Sequence, residues 1–150
     1  MCGLAGAGKS TYARRLEERG WLRFSIDREA WGMGLVDVPF PPDASDDIRA
    51  RQRREIADAL RAGRDVVVDY SFWSRAQRDE YRELGRECGA VVDVVHLDVP
   101  EEELRRRLAE RRGRHPDDYP VADLLAGYLS GFEAPGPDET DVTVVPFRDR

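Results

Sequence analysis

Gly3-Leu4-Ala5-Gly6-Ala7-Gly8-Lys9-Ser10, followed by Thr11, is the stretch that decides how this chain is read. It satisfies G-x-x-x-x-G-K-[ST] at every fixed position. A phosphate chain needs several backbone N–H groups aimed at one point, and glycines permit the turns that aim them. The helix that the spacing predicts over Lys9–Arg19 adds the positive end of its dipole. The lysine offers a compact ammonium, which a planar guanidinium replaces poorly. The serine hydroxyl can ligate Mg²⁺. Gly3, Ala5, Gly6, Ala7, Gly8, Lys9, Ser10 and Thr11 are therefore the candidate nucleotide-binding residues.

Composition sharpens this reading. The chain has 150 residues, a formal net charge of -6, 36% charged and 41% hydrophobic residues. That suits one domain with a buried core. Of its 24 basic residues 23 are arginine, and Lys9 is the only lysine. The Asn-Lys-x-Asp guanine motif of GTPases therefore cannot be present. The acidic balance argues against a duplex-DNA binder. Two cysteines, Cys2 and Cys88, are too few for a disulfide scaffold. No apolar run approaches the roughly 18 residues of a membrane span. The expectation is a cytoplasmic protein with no membrane attachment.

Outward from the loop, strand and helix patterns alternate. Strands are expected at Trp21–Ile26, Val66–Val68, Val91–Leu97 and Val142–Val145. Helices are expected at Ser45–Ala62, Arg75–Glu87, Pro100–Arg112 and Val121–Phe132. Ser74 with Gln77 forms a capping box, and Pro100 before three glutamates marks a helix start. Continuous β-branched runs suit strands buried on both faces. The fold class is α/β: a three-layer fold with a mostly parallel sheet, whose ligands bind at the carboxyl ends of the strands. Only Met1 and Cys2 precede Gly3, where a strand of about 5–6 residues is expected. The expectation is that the first strand is largely missing and that the native chain begins upstream.

Asp27 follows the first strand pattern. It is a candidate base toward a hydroxyl, or an ordinary helix cap. Asp69 ends the valine run, the pattern of a carboxylate that organises Mg²⁺, or of a loop aspartate. Arginines crowd 105–114, where they can stabilise transferred charge or simply solvate a helix. Arg107 and Arg111 share a helical face. Arg49 to Arg54 reads as a solvated face. Phe72-Trp73-Ser74-Arg75 could line an acceptor pocket or staple the next helix.

Together the phosphate loop Gly3–Thr11, Ser25-Ile26-Asp27-Arg28, Val66–Asp69, Phe72–Arg75 and the arginine-rich helix resemble one group. It is the AAA-type ATP-binding proteins of the small P-loop kinases, which include chloramphenicol phosphotransferase, zeta toxin and the polynucleotide 5′-kinases. The resemblance covers nearly the whole chain. It implies a single P-loop kinase-like domain over 1–150 with a lid about 105–120. It implies ATP and Mg²⁺ as cofactors, with Ser10 and Asp69 toward the metal. Lys9, Asp27, Arg107 and Arg111 would be catalytic, and Arg114 would join the nucleotide site. Asp27, Arg28, Phe72, Trp73 and Arg75 would face the acceptor. The implied activity is transfer of the γ-phosphoryl group to a hydroxyl of a small molecule. Two alternatives are an ATP-binding module without transfer and a polynucleotide 5′-hydroxyl kinase.

Overall fold

Val66–Val68 shows how the layers arise. In the computed structural model, which describes residues 1–37, 39–113 and 115–147, this strand sends alternate side chains to opposite faces. Val67 packs into a core with Ala13, Leu104, Leu108 and Leu125. Val66 and Val68 pack against Ile56, Ala57 and Leu84 on the other side. Apolar on both faces, the strand has to lie between two layers of helices.

The elements follow the expected alternation, except that a short helix stands between the first strand and the long helix. They are α1 (Lys9–Glu17), β1 (Leu22–Phe24), α2 (Ile26–Gly32), α3 (Pro42–Arg61), β2 (Val66–Val68) and α4 (Arg75–Glu87). After them come β3 (Val94–Asp98), α5 (Glu101–Ala109), a 3₁₀ turn at Ala122–Leu124, α6 (Leu125–Gly131) and β4 (Val142–Pro146). β1 pairs parallel with β2, placing Leu22 opposite Val66. β3 pairs parallel with β4, placing Val94 opposite Val142.

Met1 and Cys2 stand between the two pairs. The Met1 amino group donates to the Val68 carbonyl at 2.7 Å. The Cys2 N–H donates to the Val95 carbonyl at 2.8 Å, and the Cys2 carbonyl accepts from the Leu97 N–H at 3.0 Å. The bridge between Cys2 and His96 is also parallel. The dipeptide thus occupies the central position expected of the first strand and leads straight into the loop at Gly3. Burial lowers the pKa of the Met1 amino group to about 6.

Several boundaries differ from expectation. β1 stops at Phe24 because the Ser25 hydroxyl caps α2, accepting the Arg28 N–H at 3.2 Å. Asp27 therefore lies in the first turn of a helix, and Ser25 takes the capping role. α3 begins at Pro42, whose fixed φ suits a first turn. The Ser74–Gln77 capping box forms as read. α5 ends at Ala109, three residues before Arg112.

Candidate active site

The carboxyl ends of β1 and β2, the loop after Gly3, α3, α5 and the segment after α5 surround one cleft of about 930 Å³. Ala5, Gly6, Gly8, Lys9, Ser10 and Thr11 line it. Gly8 immediately precedes α1 with φ +97°, a left-handed conformation that glycine adopts without a Cβ penalty. The half-buried Lys9 ammonium donates to the Leu4 carbonyl at 3.0 Å. Burial lowers its pKa, against which Asp69 and then Asp27 pull it up.

Gly3 and Ala7 belong to the motif but are not in the cleft lining. The Gly3 N–H donates to the Ser71 carbonyl at 3.2 Å, and the Ala7 N–H to Leu4 at 3.1 Å. A Cβ at Gly3 would stand 3.0 Å from the Leu97 carbonyl oxygen. These two positions shape the loop, and their N–H groups are already committed, one to Ser71 outside the loop and one to Leu4 within it.

Asp27 opens into the same cleft. Although its side chain is reached by solvent through that opening, the surrounding protein desolvates it enough to push its pKa up to about 6. Lys9 acts against the rise, and Asp69 adds to it. Asp69 is buried, and its Oδ2 accepts from Arg23 Nε at 3.0 Å and Nη2 at 2.6 Å. The same Nη2 donates to Asp117 Oδ1 at 2.8 Å. Asp69 Oδ1, by contrast, is buried in the cleft wall with no hydrogen-bond partner among the described residues. An orphaned carboxylate oxygen is costly unless something fills its valence. Beside Ser10 and a phosphate loop, that oxygen fits a hard cation such as Mg²⁺, bound directly or through water.

Arg107 and Arg111 both reach the cleft, but α5 ends at Ala109, so Arg107 reaches it from the helix and Arg111 from the segment after it, not from one shared helical face. Arg107 donates to the Gly6 carbonyl at 3.1 Å and to Glu103 at 2.6 Å. Arg111 donates to the Tyr119 carbonyl at 3.2 Å, and burial lowers its pKa. Arg114 lies outside the described residues. Phe72 and Trp73 line the cleft. Phe72 has φ +45° and stacks on Tyr70 at 5.6 Å, while Trp73 meets Tyr128 edge-on at 4.7 Å.

Arg28 and Arg75 are not brought to the cleft. Arg28 turns back to Glu17 at 2.7 Å and to the Arg23 carbonyl at 2.6 Å. Arg75, at the start of α4, runs along that helix's outer side to Asp79 and Asp138. Both are drawn off by nearby carboxylates.

Residues not singled out as site residues complete the walls. Tyr119 donates to the Leu35 carbonyl at 2.6 Å and meets Trp31 and Phe40 edge-on. It thereby ties the segment after α5 to the one after α2. Arg23 and Asp117 set the orientation of Asp69. Arg49, which the sequence places on a solvated face, instead lines the cleft.

A family model described as AAA domain matches residues 1–135. The chain belongs to the AAA domain family. Among family relatives, a gluconokinase of Gluconobacter oxydans is 29% identical over 154 residues, covering 96% of this chain and 79% of its own. A nucleotide-binding protein of Sphingopyxis alaskensis is 33% identical over 84% of this chain but only 37% of its own. An L-seryl-tRNA(Sec) kinase of Methanococcus maripaludis is 24% identical, over 96% and 57%. The chain thus spans well under two thirds of these last two relatives. A sugar kinase from Janibacter sp. superposes with a TM-score of 0.68 at 24% identity, covering 97% of this chain and 82% of that one. Kti12 of Chaetomium thermophilum superposes equally well at 18% identity. The fold is that of the small P-loop kinases.

Proposed function

We propose that this domain is an ATP-dependent phosphotransferase that moves the γ-phosphoryl group to a hydroxyl of a small molecule. The observation that carries the reading is the meeting of Lys9, Ser10, Asp27 and Asp69 on one cleft. Asp27 there has a pKa of about 6, near that of a general base working at neutral pH. The kinases among the similar proteins support the same chemistry.

In this reading the N–H groups around Gly6 and Gly8, with the N-terminus of α1, cradle the nucleotide phosphates. Lys9 leaves the Leu4 carbonyl for the outer phosphates. Ser10 and Asp69 Oδ1 would hold Mg²⁺, which when bound would neutralise charge on the phosphates. Asp27 accepts the acceptor's hydroxyl proton as the new O–P bond forms and the bond to the ADP oxygen breaks. Arg107 and Arg111, on a lid spanning about 105–120, stabilise charge on the transferred group and exclude water.

The test is Mg²⁺-dependent transfer of radiolabel from γ-labelled ATP to a panel of hydroxyl acceptors. Asp27→Asn should keep ATP affinity and lose transfer. Unchanged transfer in that variant would remove Asp27 as the base, and a wild type that binds no ATP would end the reading altogether.

A further inference from the structure

The wall of the cleft formed by α3 and α4 carries a charge that the phosphate chemistry does not use. Ser45 and Arg49 project from α3, four residues apart and so on one helical face. Tyr81 and Glu80 face them from α4, with Tyr70 beneath. Most charges in this neighbourhood are matched. Arg53 pairs with Glu80 at 2.7 Å and lies over the Tyr81 ring at 5.8 Å. Arg51 pairs with Glu29. Arg49 makes no ion pair or hydrogen bond among the described residues, and its Nε is buried without a partner. The buried Tyr81 hydroxyl stands against the Tyr70 hydroxyl on the same wall. The Arg49 charge acts electrostatically on both Tyr70 and Tyr81.

A buried guanidinium N–H without a partner costs free energy, and most buried polar groups have one. An unmatched guanidinium in the wall of an open cleft marks a place where a ligand group completes the set. A guanidinium only donates, so the missing group is an acceptor of hydrogen bonds, and a negative charge matches the unpaired cation. The position relative to Asp27 is fixed by α3. Gln52, one turn along from Arg49 (about 5 Å of rise), donates to the Ser25 carbonyl at 3.1 Å and accepts from the Tyr70 hydroxyl at 2.7 Å. Ser25 caps the helix whose first turn carries Asp27. Arg49 and Asp27 both line the cleft, and Gln52 ties the helix that carries one to the cap of the helix that carries the other.

We propose that Arg49 forms an anion subsite, so that the phosphoryl acceptor is a small hydroxy compound bearing a carboxylate or phosphate group. This rests on the kinase reading above, because it takes the α3–α4 arm to be the acceptor's. Arg49 is then a specificity residue: it anchors the anionic end and leaves a hydroxyl of the same molecule at Asp27.

The test pairs binding with transfer. Hydroxy acids, their neutral amides, the parent polyols and polyol phosphates are titrated calorimetrically into the protein with a non-hydrolysable ATP analogue and Mg²⁺. The same compounds are then offered as acceptors with ATP. Anionic members should bind and the neutral amides should not. Arg49→Gln should weaken the anionic ligand, or raise its KM, roughly 10- to 100-fold, with ATP affinity unchanged. Arg49→Lys should recover part of the loss. Preference between acids and phosphates distinguishes the two anions. Equal use of neutral and charged acceptors, equal loss for both in Arg49→Gln, or no binding of any anionic member would overturn the proposal. Arg49-dependent anion binding without transfer would leave the subsite standing and refute the kinase. Transfer to neutral acceptors that is indifferent to Arg49 would do the reverse.

Discussion

The elevated pKa of Asp27 gives the kinase reading a quantitative handle. The carboxyl is raised from 3.8 to about 6, chiefly because the protein around the cleft desolvates it. If Asp27 must be ionised to take the acceptor's proton, kcat/KM should track its ionised fraction. That fraction is about half at pH 6 and about a tenth at pH 5, whereas an unperturbed aspartate at pH 5 would be about nine-tenths ionised. The assay is initial phosphoryl transfer at subsaturating acceptor, from pH 5 to 8 at constant ionic strength and saturating Mg²⁺. The expected profile has one acid limb centred about pH 6 and a plateau above it. Asp117 is among the neighbours that raise the pKa, so Asp117→Asn should move the limb to lower pH. Stability should move in the opposite direction to activity. A carboxyl whose folded pKa lies above its unfolded value binds its proton more tightly when folded. Ionising it therefore costs stability, and the cost grows from about pH 4 to pH 6 and stays in full above that. Asp27→Asn should thus melt higher than wild type at pH 7.5, with the difference vanishing below about pH 4. A transfer rate flat from pH 5 to 8 would refute the assignment. So would Asp27→Asn melting lower at pH 7.5.

Lys9→Ala should abolish the rise in melting temperature that ATP with Mg²⁺ gives, which amounts to about 2.7 kcal/mol at a hundredfold excess over Kd. Lys9→Arg should not restore it, because the ammonium is half-buried against the Leu4 carbonyl and a planar fork does not fit that geometry. Gly6→Ala should cost about 1–2 kcal/mol for the left-handed backbone alone. The new Cβ would also press on Leu108 at 3.3 Å, so calorimetry should show weaker ATP binding together with a lower Tm. Glu139→Ala should destabilise by about 3–5 kcal/mol in chemical denaturation, since it strands the fully buried Arg78. ATP affinity should be unaffected, because this cluster lies outside the cleft.

Most of the architecture was legible because it depends on local chemistry. The capping box at Ser74 and Gln77, the valine run and the loop at Gly3–Ser10 each specify their own conformation with little help from elsewhere. The errors fall where an outcome depends on long-range partners. Arg28 and Arg75 were expected at the site because they adjoin motifs. A guanidinium on a long stem goes to the nearest carboxylate, and Glu17, Asp79 and Asp138 are only brought near by the fold. Arg23 and Asp117 are 94 residues apart and meet at Asp69, a contact that no local pattern announces.

Arg49 is the informative case, because a signal for it was present. Helix α3 buries Ile48, Gln52 and Ile56, which are spaced four apart. A glutamine in the middle of an apolar stripe has to satisfy an amide, so that stripe cannot face a purely apolar core. Gln52 indeed reaches the Ser25 carbonyl and the Tyr70 hydroxyl at the cleft. Position 49 is next to the stripe, so its side chain emerges at the border where the packed face gives way to the cleft. Had α3 been a solvated helix resting on a plain core, position 52 would be apolar and Arg49 would have its choice of surface carboxylates. The polar residue within the stripe and the unmatched cation beside it are thus one feature: the point where α3 stops covering the sheet and begins to line a binding site.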